Sequence, residues 1–191
     1  GQIALEIGDY GMAMFASAEQ SYMGYSIGRP LAELEREIAT YRAEIMKMGK
    51  PIQLHYFCQM EQFLHNLIYP IDKPCRLVGE FYDEDKEMAF HLADNDKNAL
   101  FSLNHFKLIL NYSFGHFEEA LYCAQKNREL MGRVTGWYGV VGFYFYEALA
   151  CCAMLVKTGE SKRQVELLAQ VNENISMIKQ WSTHEPLNHE N

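Results

Sequence analysis

The sequence predicts an all-α fold in which antiparallel helix pairs stack into a right-handed solenoid, and three observations carry that prediction. Leu100 to Met131 reads as two helices folded back on each other around Gly115. The run Gly115-His116-Phe117-Glu118-Glu119-Ala120 has an earlier counterpart in Gly8-Asp9-Tyr10-Gly11-Met12-Ala13, 107 residues before it. Apolar residues recur at helical spacing between glycine and proline stops, and no segment alternates as a strand does. Together these give about eight or nine helices in one helical-repeat domain.

In the Gly115 unit, the glycine supplies a left-handed residue that closes one helix, and Glu118 and Glu119 open the next near the positive end of its dipole. Ala120 lets the second helix lie close to the first, with Phe117 and Leu121 filling the space on either side. Gly-x-aromatic-x-x-Ala-hydrophobic is how the second helix of a tetratricopeptide unit begins. Units of about 34 residues divide the interval between the two copies into three.

The remaining elements follow in order. Ala4-Leu5-Glu6-Ile7 reads as the tail of a helix, and a second helix runs from Asp9 to about Tyr25. Gly28-Arg29-Pro30 stops it and starts the next, whose apolar stripe is Leu31, Leu34, Ile38, Tyr41, Ile45 and Met48. Glu33, Glu35, Arg36, Glu37, Arg42 and Glu44 fall opposite that stripe, as a solvated outer face does. Gly49-Lys50-Pro51 punctuates again before a helix from Ile52 to about Tyr69, with Leu54, Phe57, Cys58, Phe63, Leu64 and Leu67 inside. Ile71 to Tyr82 shows no period and reads as an irregular connector, with a lid over a ligand as the alternative. A short acid-capped helix spans Asp83 to about Ala93. Asp94-Asn95-Asp96 then turns the chain and caps a helix from Lys97 to Ser113; a calcium loop's glycine and closing glutamate are missing. After the Gly115 pair come a break at Gly132 to Gly136, a helix from Trp137 to about Lys157, a reset at Thr158-Gly159-Glu160-Ser161, and a final helix from Lys162 to about Trp181. Val165, Leu168, Val171, Ile175 and Ile178 form the apolar stripe of that last helix.

Trp137 to Val156 is apolar except for Glu147 and matches the length a bilayer requires. A mid-helix acid costs about 3 kcal/mol on insertion scales, and the tyrosines lie inside the run. A buried helix at the centre of the stack fits better, with Gly136, Gly139 and Gly142 allowing a neighbour close. Glu147 then needs a donor, for which a tyrosine or arginine serves, or an outlet into a groove.

A net charge of -8 with no cluster of Lys and Arg excludes phosphate-driven nucleic-acid binding. The five cysteines, Cys58, Cys75, Cys123, Cys151 and Cys152, have no CxxC spacing and read as reduced thiols of a cytoplasmic protein without a signal peptide. His55, His65, His91, His105, His116, His184 and His189 show no HxxxH pair with a third ligand nearby, so no metal site is expected. Nucleophile elbow, Walker loop and dinucleotide glycine motif are all missing, so neither catalytic residues nor a cofactor are expected. The concave face of such a stack is where a partner binds, and His105, Asn111, Tyr112, Tyr138 and Tyr144 are the residues expected to line it. Away from the helix ends Lys107 is the single cation on the Lys97 and Trp137 helices that would form this face, so the groove reads as aromatic and neutral, with weak sensitivity to salt.

Taken together, Gly28-Arg29-Pro30-Leu31-Ala32-Glu33-Leu34, Asn98-Ala99-Leu100-Phe101 through Ala120, Val134-Thr135-Gly136, and Trp181-Ser182-Thr183-His184-Glu185-Pro186-Leu187-Asn188-His189 resemble one family. It is the helical-repeat region of large bacterial hybrid signalling proteins. There a serine/threonine kinase-like domain and an AAA- or STAND-type ATPase precede the repeats, and GAF and sensor histidine-kinase domains follow. The resemblance implies a non-catalytic fragment of a longer protein that relays signals between those domains. No kinase or ATPase motif lies in this chain, so no catalytic residue is carried over. Two alternatives share the composition: a free-standing peptide-binding adaptor, and a small-molecule sensor that uses the Ile71 to Tyr82 loop.

Overall fold

A computed structural model describes residues 10–47, 54–133 and 139–183. Eight α-helices occupy them: α1 (Tyr10–Ser26), α2 (Leu31–Lys47), α3 (Leu54–Ile68), α4 (Glu84–Ala93), α5 (Lys97–Ser113), α6 (Phe117–Leu130), α7 (Gly139–Lys157) and α8 (Ser161–Ser182). A short 3₁₀ turn at Met131–Arg133 follows α6. No strand occurs among the described residues; one isolated bridge joins Val78 and Asp83. The described residues are all-helical, as the expected all-α class requires. Ala4 to Ile7, Gly8 and Asp9 of the earlier repeat copy, Met48, Gly136, Trp137, Tyr138 and the run from His184 to His189 lie outside the described residues.

Local chemistry sets the helix ends. Three of the turns share one hydrogen-bond pattern, in which a residue with positive φ follows the last helical turn. Gly28 (φ 78°) ends α1, Asn95 (φ 53°) ends α4 and Gly115 (φ 81°) ends α5. At Gly115 the His116 N–H donates to the Asn111 carbonyl at 2.8 Å and the Gly115 N–H to that of Tyr112 at 3.1 Å. This reciprocal pair satisfies carbonyls that the helix leaves open. Asp83 caps α4 and Asp96 caps α5, their carboxylates accepting from the N–H groups of Asp85 at 3.1 Å and Ala99 at 3.0 Å.

Packing runs mainly between successive helices. α1 meets α2, α2 meets α3, α5 meets α6, α6 meets α7 and α7 meets α8; α3 and α7 also both lie against α5. The buried apolar side chains fall into three clusters laid along the chain. One joins α1, α2, α3 and α5; a second joins α5, α6 and α7, with α8 against it; the third joins α7 and α8. Ala120 is fully buried in the second with Phe101 and Leu108 of α5.

α5 is the most enclosed helix, and not α7, the all-apolar helix expected at the centre. Phe145, Cys152 and Val156 of α7 face solvent. α7 is still long and apolar enough to cross a membrane by length and composition. Gly142 explains its close seat, since a methyl there would collide with the Tyr22 hydroxyl of α1 and stand 3.3 Å from Cε1 of His105.

The inward face of α8 differs from the expected stripe. Leu167, Val171 and Asn174 are buried, while Val165, Leu168 and Ile175 are exposed. Asn174 looks inward because its partners on α6 and α7 are there, and the stripe rotates with it.

Candidate functional site

Two polar constellations are built into this apolar frame. The first holds α6, α7 and α8 together. Arg128 of α6 donates from Nε to Glu147 Oε1 at 2.8 Å and from Nη2 to Oε2 at 2.6 Å, a two-pronged grip on the carboxylate. The same Nη2 reaches Asn174 Oδ1 on α8 at 2.7 Å, and Asn174 Nδ2 returns a bond to Glu147 at 2.9 Å. Arg128 Nη1 also pairs with Glu173 at 3.0 Å. Burial works against the Arg128 charge, but the Glu147 and Glu173 carboxylates outweigh it and hold the guanidinium pKa above its ordinary value. Glu147 therefore has the arginine donor anticipated for it. An open cleft of about 270 Å³ lies beside this network, edged by Gln125, Arg163, Glu166 and Gln170.

The second constellation lies where α3, the 71–82 connector, α4 and α5 meet. Gln59, Gln62 and Asn66 share one face of α3 and are buried there. Asn66 Nδ2 donates to the carbonyls of Pro74 at 2.9 Å and Arg76 at 2.7 Å, and Gln62 Oε1 accepts from the Phe81 N–H at 3.1 Å. Glu84 takes the Leu77 N–H at 3.0 Å and pairs with Lys107 at 2.9 Å. Leu77 and Tyr82 are buried. The connector is thus fixed along α3 by side-chain amides that replace the backbone pairing an irregular segment lacks.

At the rim of this region His55, His91 and Asp96 come together, each offering a ligand atom, all within 4.8 Å of one another. His55 Nε2 stands 3.2 Å from Asp96 Oδ2, and the His55 and His91 rings meet edge to face at 4.9 Å. Asp96 Oδ1 is engaged by the Ala99 N–H and by the Tyr56 hydroxyl at 3.2 Å. Burial pushes His55 down to about 4, opposed by Asp96 and assisted by His91. Sequence spacing hid this trio, because α3 and the α4–α5 turn bring together residues that no motif links.

The residues expected to line a groove are placed as follows. His105 is fully enclosed, with Nε2 at 2.6 Å from the Tyr22 hydroxyl, and burial pushes its pKa down to about 3. Asn111 is buried and donates to the Lys107 carbonyl at 2.7 Å. Tyr144 is buried against Trp181, ring centroids 5.3 Å apart. Tyr112 is half-buried between Phe117 and Tyr146. Tyr138 lies outside the described residues. His105, Asn111 and Tyr144 are therefore packed inside, where a partner meets them only if helices separate. No protein-family model, curated protein or solved structure matches this chain.

Proposed function

We infer that this chain is a non-catalytic protein-interaction and signal-relay module, a tetratricopeptide-like right-handed solenoid set between ATPase and sensor or kinase domains in the cytoplasm. The observation that carries the reading is the outer face of α8. Val165, Leu168 and Ile175 stand 67%, 50% and 41% exposed, flanking the buried Leu167, Val171 and Asn174. Apolar side chains left uncovered beside a buried stripe are suited to being covered by a partner. Met23 on α1 and Ile27 in the turn after it, both exposed, give the opposite end of the helix succession the same character. Division of the core into three clusters laid along the chain, instead of one central core, supports the stack. The neighbours would be adjoining domains of a parent protein or a separate protein or peptide, with nucleic acid and membrane playing no part.

The test is a titration of this chain against GAF and histidine-kinase domains encoded in the same reading frame, at low and high salt. Binding that changes little with salt and falls at least tenfold in Leu168→Glu and Ile175→Glu, with unchanged melting temperatures, is the expected result. Salt-quenched binding of acidic-tailed peptides, indifferent to both substitutions, points instead to a free-standing adaptor.

A further inference from the structure

We propose that His55, His91 and Asp96 form a binding site for a divalent transition-metal ion of the zinc class, which staples α3 to the turn between α4 and α5. The turn itself fixes two of the three donors. His91 lies in the last turn of α4, and its carbonyl accepts the Asp96 N–H at 2.9 Å across the left-handed Asn95. The side chains of residues five apart are thereby held at one end of two helices. His55, in the first turn of α3, faces them from the third.

His55 and Asp96 are spaced as two ligands of one cation, not as hydrogen-bond partners. His55 Nε2 is buried and has no hydrogen-bond partner, although Asp96 Oδ2 is 3.2 Å away. Tetrahedral zinc, with bonds of about 2.0–2.1 Å, places its ligand atoms about 3.3 Å apart, so that separation is one edge of such a site. Asp96 divides its labour: Oδ1 caps α5 and takes the Tyr56 hydroxyl, which leaves Oδ2 for an ion. His91 Nε2 lies 2.9 Å from the Tyr82 hydroxyl, which also accepts from Gln59 Nε2 at 3.1 Å. With Nε2 occupied, Nδ1 is the nitrogen left for the metal, and Tyr82 and Gln59 are the outer partners that orient the ring.

The widest separation, up to 4.8 Å, exceeds a closed tetrahedral edge, so loading draws the His91 ring inward. Two imidazoles with one carboxylate favour zinc, cobalt, nickel or ferrous iron over magnesium or calcium, which prefer oxygen donors. Three protein ligands leave a coordination position for water or for a side chain brought by a partner. His55 and Asp96 keep 14% and 23% of their side-chain surface in solvent, which gives an ion a way in.

The experiment strips the 191-residue chain with chelator and titrates Zn²⁺ in competition with a chromophoric chelator. Co²⁺ then reports geometry through its visible absorption. One equivalent bound, a rise in melting temperature with Zn²⁺, and at least tenfold weaker binding in His91→Ala and Asp96→Asn are expected. Asn at position 96 retains the cap, so Asp96→Asn tests the site even if His91→Ala misfolds. His65→Ala removes the other half-buried histidine that faces a carboxylate, Glu35 at 3.4 Å, where no third ligand joins among the described residues, and leaves binding unchanged. Three outcomes overturn the proposal: no binding, equal binding in all variants, or a Co²⁺–thiolate band showing that a cysteine is the ligand.

Discussion

A single proton or a single lost side chain tests the interior most directly. His105 is neutral in the fold because burial lowers its pKa to about 3, against about 6.5 in the unfolded chain. Tyr22, Phe101 and Phe106 surround its ring. Between those two values the unfolded state binds a proton that the native state does not, so stability rises with pH and falls on acidification below about 6.5. The slope from this residue is about 1.4 kcal/mol per pH unit in that window. Urea midpoints at pH 7 and pH 5 read it, and His105→Leu is expected to flatten the difference. Arg128 is the complementary case. Arg128→Ala leaves Glu147, 4% exposed, with its charge buried and its main partner gone, a loss of about 3–5 kcal/mol in urea unfolding. Arg128→Met with Glu147→Leu removes both charges and is expected to recover most of that loss. A double variant no more stable than Arg128→Ala would show that packing and not charge makes the junction.

At the scale of elements, the turns were the most legible part of the sequence. Gly28, Asp83, Asp96 and Gly115 act on groups a few residues away, so their chemistry can be read without the fold. Gly115→Ala meets nothing within 4 Å and therefore costs only its positive φ, about 1 kcal/mol, with the helices intact by circular dichroism. Gly142→Ala has ordinary helical surroundings in sequence but meets Tyr22 and His105, so it should cost more than Gly115→Ala in the same assay. The reverse order would mean that α7 moves aside freely. Faces were less legible than ends. On α3 the polar residues Gln59, Gln62 and Asn66 have no reason to face inward until the connector that uses them is in place. On α8 two apolar stripes compete, and the choice between them is made by Asn174 through Arg128, 46 residues earlier. The trio at His55 was illegible for the same reason, since its donors meet only through tertiary structure.

For the whole molecule, the class and the order of elements followed from punctuation and period, whereas the identity of the innermost helix did not. Apolar content pointed to α7, but enclosure depends on how many neighbours a helix has, and α5 is flanked by α3, α4, α6 and α7. The Tyr22–His105 contact that crosses this arrangement also has a kinetic consequence. Its partners are 83 residues apart, and the nearby Tyr25–Tyr146 hydroxyl pair, at 3.0 Å, spans 121. Closing a loop of that size costs about 3 kcal/mol more entropy than closing a turn of a few residues. Neighbouring helices, α1 with α2 among them, are therefore expected to pair first, and α1 to lock onto α5 and α7 last. Tyr22→Phe, which removes a buried hydrogen bond worth about 2 kcal/mol, should leave the refolding rate nearly unchanged. The loss appears instead as unfolding faster by about 30-fold. Stopped-flow refolding slowed by that factor would place α1 in the rate-limiting step.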